Sequence, residues 1–176
     1  MIKKITFKDY KDTKWSGGLT SEIFIYPENA SVGERNFSIR VSTATTEVEE
    51  STFSDYSSYT RYISTFDNPL KLLVNGEERN LKPFEIFKFS GEDKVKSFGK
   101  VRDFNLIYKN NINAKLMAIE KKGEIFPLAL NKAYILTAFE DSQLNNEDIK
   151  ELNSVYIENE EKISLSGKFF LAEFEK

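Results

Sequence analysis

A chain of 176 residues suffices for one ordinary domain or two small fused ones, and at that size folding buries roughly 70% of the unfolded surface without a covalent staple. It contains neither cysteine nor histidine. That excludes a disulfide framework, zinc-finger chemistry, a thiol nucleophile and every Ser-His-Asp or Cys-His arrangement, and it removes the commonest metal ligand and general base. The formal net charge is −3, with both signs spread along the chain, so no basic stripe offers itself to nucleic acid.

The N-terminal run MIKKITFKDYKDTKW carries lysines with no apolar segment behind it, so no signal peptide is expected. No apolar run approaches the length of about 18 residues that a membrane span needs. The sequons at Asn29 and Asn36 then read as chance matches in a cytoplasmic chain.

Fifteen Phe, eight Tyr and short β-branched runs favour strands over helices. In chain order, strands are predicted at 2–8, 20–26, 36–44, 59–66, 70–75, 78–82, 84–89, 94–98 and 101–109. Asn75-Gly76, between LKLLV and EERNL, signals a two-residue hairpin turn, and Ser90-Gly91-Glu92-Asp93 marks another turn. The polar run KNNINA after Tyr108 reads as a boundary near 110. Beyond it, strands are predicted at 115–120, 124–126, 133–139, 154–158, 162–165 and 168–174. Residues 145–152, with an Asn cap and early acids, look locally helical. Many short strands between turns argue for an antiparallel sandwich or barrel.

Four stretches carry polar chemistry. Trp15-Ser16-Gly17-Gly18 leads into a strand with Thr20 and Glu22 on one face, and the paired glycines allow a close backbone approach. In Phe37–Ala44, Phe37, Ile39 and Val41 make an apolar face, while Ser38, Arg40 and Ser42 make a polar one. Arg40 reads either as a solvated or cross-strand-paired charge or as a fork for a carboxylate. Thr52–Arg61 is a loop rich in hydroxyls and aromatics, either plain surface or the mouth of a barrel. In VRDFNLIY, residues 101–108, Asp103 and Asn105 share the strand face opposite Phe104, Leu106 and Tyr108, a face that in a half-buried strand usually meets water. No catalytic spacing links Glu22 to Asp103, and no oxygen-rich loop suggests calcium or magnesium.

Taken in order, these stretches resemble the HutD/Ves family of the cupin superfamily. The matching pattern is Trp15 through Ile23 with Pro27 after it; then Phe37, Arg40, Ser42 and Ala44; then Phe53-Ser54, Tyr56 and Arg61; last Asp103-Phe104-Asn105-Leu106. Two departures leave the ligand open. Ser16-Gly17-Gly18 stands where the histidine-pathway branch has Asn-Gly-Gly-Gly, and Thr60 stands where Glu commonly precedes the loop arginine.

The resemblance implies an all-β, cupin-like double β-barrel (a bicupin of antiparallel jelly-roll type) with little helix. Residues 1–110 would form the first barrel with the main pocket, and 111–176 a smaller β half packed on it. The resemblance also makes 145–152 a hairpin or loop, against the local reading, and an eight-residue helix is marginal without strong packing. It implies a cytoplasmic bacterial protein linked to histidine utilisation or stress responses and not securely established as an enzyme. The histidine-pathway members are thought to bind a small acidic metabolite such as formylglutamate in a regulatory role.

The expected function is therefore non-catalytic binding of a small metabolite, a carboxylate or an amide. The expected ligand-binding residues are Trp15, Thr20, Glu22, Arg40, Ser42, Arg61, Asp103 and Asn105, with no metal and no cofactor. Arg40 or Arg61 would meet a ligand carboxylate, Asn105 and Ser42 would supply neutral hydrogen bonds, and Asp103 would hold an arginine or accept from an amide. Trp15, Thr20 and Glu22 would close the rim. The expected partner is a small molecule, with no nucleic acid and no membrane, and a homodimer is allowed. The alternatives are a metal-independent isomerase or epimerase with Glu22 or Asp103 as base, and an interaction protein whose pocket is vestigial.

Overall fold

The computed structural model describes residues 1–175. In chain order the strands are β1 (Ile2–Ile5), β2 (Lys11–Trp15), β3 (Gly18–Tyr26), β4 (Ile39–Thr46), β5 (Glu50–Thr52), β6 (Tyr59–Thr65), β7 (Leu70–Val74), β8 (Glu77–Leu81) and β9 (Phe87–Ser90). They continue with β10 (Val95–Phe98), β11 (Arg102–Lys109), β12 (Ala114–Pro127), β13 (Ala133–Ala138), β14 (Ser142–Leu144), β15 (Glu147–Ile149), β16 (Ser154–Glu158) and β17 (Lys162–Phe174). Among the described residues the only helical element is a 3-10 turn at Phe7–Asp9, and no helix is long and apolar enough to cross a membrane. The all-β expectation holds.

The chain divides into two compact units. Lys11–Asn111 form one; Met1–Tyr10 and the chain from Ile112 onward form the other. The crossing at 111 adjoins the boundary expected near 110. The first ten residues, expected in the first barrel, group with the C-terminal unit because β1 pairs antiparallel with β16, from Ile2 opposite Ile157 to Ile5 opposite Ser154.

In the unit of Lys11–Asn111, a six-stranded antiparallel sheet runs β2-β3-β4-β11-β6-β9 and a four-stranded sheet runs β5-β10-β7-β8. An apolar cluster joins them, with Ile63 and Phe89 from the larger sheet meeting Leu70, Leu72, Leu81 and Val95 from the smaller. A second cluster of Phe37, Tyr56, Tyr59 and Ile107 packs with Ile25, Ala30 and Val32. The interior is thus filled at both clusters, and the polar residues of the inner face lie between them in the strand register.

The other unit is one seven-stranded sheet, β1-β16-β13-β17-β14-β15, with β12 paired to β17. It closes on an apolar core that includes Leu136, Leu144, Ile149, Val155, Ile157, Leu165, Phe169 and Leu171.

Local chemistry explains where the predicted elements moved. The strand expected at 2–8 stops at Ile5 because the Asp9 carboxylate accepts from the Thr6 N–H at 2.8 Å and from its hydroxyl at 2.7 Å, folding the chain into the 3-10 turn. The strand expected from 84 begins at Phe87, since Phe84 has φ +72° and cannot lie in a ladder. β12 runs through a bulge at Lys122/Glu124 where Gly123 takes φ +76°, joining two predicted strands. β17 likewise joins two. β2 and β5 were missed because their polar sequences show no apolar alternation.

Asn75-Gly76 forms the expected turn, both residues with positive φ between Val74 and Glu77. The local helix reading at 145–152 is overturned. Asn145 and Asn146 adopt φ +50° and +64° and close a β14–β15 hairpin, as the family pattern implied.

Gly91 fixes the loop before β6. Its N–H donates to the Tyr59 carbonyl and its carbonyl accepts from the Tyr56 N–H, both at 2.8 Å, and a Cβ there would lie 2.0 Å from the Tyr56 carbonyl oxygen. Gly91→Ala therefore forces backbone apart and is expected to destabilise the protein by about 1–3 kcal/mol. Denaturant melts check this; an unchanged midpoint would show that the loop is not pinned there.

Candidate functional site

The antiparallel register alone gathers the polar residues. Thr20 and Asp103 both lie opposite Ala44, Ser42 lies between Glu22 and Asn105, and Ile107 lies between Arg40 and Arg61. Directly opposed residues share a sheet face, so one inner face carries Thr20, Glu22, Arg40, Ser42, Arg61, Asp103 and Asn105. A bulge between Glu22 and Phe24 adjusts β3 just where Glu22 meets its partner. The polar face of VRDFNLIY does not meet water: Asp103 and Asn105 are each 7% exposed.

These residues bound a cavity of ≈ 240 Å³. Seven of the eight predicted site residues line it: Trp15, Thr20, Arg40, Ser42, Arg61, Asp103 and Asn105. The eighth, Glu22, binds Arg40; the Arg40 Nε–H donates to Glu22 Oε2 at 3.0 Å, and both side chains are largely buried. Trp15 stands at the rim, 37% exposed, with its ring lying over Gly17, where a Cβ would fall 2.0 Å from the ring. Gly18 is equally constrained, since a Cβ there would lie 1.9 Å from the Thr45 carbonyl oxygen. The paired glycines therefore serve close approach.

Arg61 is the centre of the site. Its guanidinium carbon lies 4.8, 5.1 and 5.4 Å from the ring centres of Phe53, Phe89 and Tyr56, so aromatic faces enclose it. One amino group donates to Asn105 Oδ1 over a long 3.5 Å, while Arg61 Nε is buried with no hydrogen-bond partner among the described residues. Ser64 Oγ is the other such atom among the described residues, but Ser64 does not line the cavity. Burial brings the Arg61 pKa down to about 10, with Tyr56 and Asp103 opposing and Arg40 reinforcing the shift, so the group stays cationic at neutral pH.

Asn105 spends both ends of its amide inside the protein. Its Oδ1 accepts from Arg61 and its Nδ2–H donates to Asp103 Oδ1 at 2.6 Å. The same Asp103 oxygen accepts from the Ala44 N–H at 3.1 Å, and Thr43 Oγ1 donates to the Asp103 carbonyl at 2.6 Å. Burial pushes the Asp103 carboxyl up from 3.8 to about 7, against the pull of Arg61, the Ala44 N–H and Asn105. The expectation that Asp103 holds an arginine becomes an indirect one, acting through Asn105.

Phe53 and Tyr56 lie in the loop marked from sequence as a possible barrel mouth. Phe89 was missed, because only the register that sets Arg61 opposite it brings it near the site. Among the described residues, no three Asp, Glu, His or Cys side chains converge as a metal would require.

Comparison with known proteins places this geometry. A relative from Pseudomonas putida, described as "Uncharacterized 21.2 kDa protein in hutC 3'region", is 39% identical over 115 residues, which is 61% of this chain. The match spans 58% of that relative's length. The structure of HutD from Pseudomonas fluorescens SBW25 overlays with a TM-score of 0.84 at 27% identity, covering 99% of this chain and 98% of that one. A cupin 2 conserved barrel domain protein from Leptotrichia buccalis shares the fold at a TM-score of 0.60 and 12% identity, covering 98% and 95% of the two chains. The model of the HutD family matches residues 7–171, and the chain belongs to that family.

Proposed function

We propose that the protein binds a small carboxylate, without turning it over, in the cavity of the Lys11–Asn111 unit, and that Arg61 receives the carboxylate. The observation that carries this reading is the buried Arg61 guanidinium in the lining of the cavity, whose Nε has no partner among the described residues. A buried donor left without an acceptor costs about 1–3 kcal/mol, more for a charged group, and a ligand oxygen would remove that penalty. Of the two arginines, Arg40 already holds Glu22, which leaves Arg61 for the ligand. The aromatic faces over the guanidinium leave its in-plane edge for bidentate contact, the geometry that suits a carboxylate. Trp15 would cover the seated molecule, and Ser42 and Thr20 would add neutral hydrogen bonds.

One observation favours the rival reading, a metal-independent isomerase. Asp103 has a carboxyl that titrates near neutrality, where a general acid or base works best. Glu22 fits that role poorly, being tied to Arg40. An interaction protein with a vestigial pocket would have a filled interior, which is what the core of the other unit resembles.

Arg61→Met keeps the bulk among Phe53, Tyr56 and Phe89 while removing the charge. It is expected to leave the unliganded protein as stable or about 1–2 kcal/mol more stable. It is also expected to abolish the melting-temperature rise that small carboxylates give the wild type, a gain of about 2.7 kcal/mol at a hundredfold excess over Kd. A variant that still responds would remove Arg61 from the site.

Asp103 predicts a pH effect on stability. Its pKa is higher folded than unfolded, so the folded state holds the extra proton, and stability is lost as pH rises from about 4 to about 7. Thermal melts across that range are expected to show Asp103→Asn gaining on the wild type toward high pH. Parallel curves would contradict the buried carboxyl.

A further inference from the structure

The charge inventory of the pocket limits what it accepts. From β3 and β4, Glu22 and Arg40 face each other at 3.0 Å and cancel. From β6 comes Arg61, from β11 Asp103, and from the loop before β6 the phenol of Tyr56. Asp67, in the turn after β6, adds negative potential at Asp103. After the Glu22–Arg40 pair is set aside, one guanidinium and one carboxyl, both buried, line the same pocket and are joined through the amide of Asn105.

Seating a carboxylate on Arg61 puts two carboxyl groups beside that one guanidinium. Two carboxylates in one desolvated site do not both stay ionised. Resting on the carboxylate reading of this site, we infer that the pocket takes up one small monocarboxylate together with one proton, and that the proton is held on Asp103. The ligand stays ionised against Arg61, and the Asp103 carboxylate becomes a carboxylic acid at the expense of a solvent proton. No other bond changes.

The hydrogen bonds already present suit the acid form. Asp103 Oδ1 goes on accepting from the Ala44 N–H and from Asn105 Nδ2–H, and the protonated group gains an O–H donor within the pocket. Asn105 is the coupling residue, because its amide touches both Arg61 and Asp103. Burial already favours the neutral form before any ligand arrives. A dianion would need a second uncommitted cation, and Arg40 is held by Glu22. The class admitted is therefore a monoanionic carboxylic acid with a neutral remainder small enough for ≈ 240 Å³, and phosphate esters are excluded.

The single tryptophan, Trp15, lines the cavity and provides the signal. Its fluorescence is followed while sodium propionate, or methyl phosphate in parallel, is titrated into the whole protein between about pH 5.5 and about pH 8.5. Propionate affinity is expected to be flat below about pH 7 and to fall roughly tenfold per pH unit from about pH 7.5 upward, as uptake of one proton requires. Asp103→Asn, neutral at every pH, is expected to flatten the profile.

A second measurement needs no variant. Neutralised propionate added to weakly buffered wild-type protein at about pH 8 is expected to draw close to one proton per site from solution, and almost none at about pH 5.5. Propionate binding with a flat pH profile and no proton uptake overturns the coupling while leaving the carboxylate site in place. Methyl phosphate binding as tightly as propionate at about pH 8, where it is close to a dianion, overturns the charge limit. No response to propionate even at about pH 5.5 overturns the carboxylate reading itself, and the coupling with it.

Discussion

A guanidinium taken out of water sets the terms for the whole Lys11–Asn111 unit. Arg61 is 8% exposed, its faces lie against three aromatic rings, and among the described residues its one hydrogen-bond acceptor is the amide of Asn105. Removing such a charge from water is expensive unless every donor finds a partner, and here one does not. The surrounding features follow as ways of holding that charge. Asn105 ties it to Asp103, Gly91 anchors the loop that brings Tyr56 over it, and Glu22 occupies the other arginine. The supporting residues come from β3, from β11 and from the loops on either side of the β6–β9 pair, so the site exists only when the six-stranded sheet is in register.

The two units make opposite use of the same all-β architecture. In the C-terminal unit, Leu136, Leu144, Leu165, Phe169 and Leu171 meet in a core of apolar side chains. In the other, the apolar clusters of Ile63 with Leu72 and of Phe37 with Ile107 leave room between them for a polar inner face. β4 shows how little sequence this takes. Ile39 and Val41 on one side, and Arg40 and Ser42 on the other, are all buried, so a strand that alternates like an exposed one is enclosed on both faces.

That strand also shows what the residues alone could reveal. The alternation in Ile39–Ala44 and Asp103–Tyr108 fixed which side chains share a face, and the antiparallel register then set Ser42 opposite Asn105 and Thr20 opposite Ala44, while Phe37, ahead of β4, packs with Tyr59 and Ile107 instead. Which way the polar face turned was not legible locally, because period-two alternation is the same for water and for a lined cavity. The division of labour between Arg40 and Arg61 was hidden as well. It depends on which one reaches Glu22, a matter of side-chain geometry across β3 and β4. Phe89 is distant in sequence from the motifs and enters only through pairing with β6. At 145–152, acids and an Asn cap imitated a helix start, yet two consecutive Asn residues at positive φ settle the segment as a hairpin.

β12 carries a further consequence. It is fourteen residues long, and β17 is its only strand partner among the described residues. An unpaired strand edge can recruit other chains into intermolecular ladders. Lys115, Lys121 and Lys122 along β12, the bulge at Gly123 and the closing Pro127 are the features that deny such a ladder a regular template. A bulged, lysine-bearing strand is a poorer template for accretion of further chains than a flat apolar one.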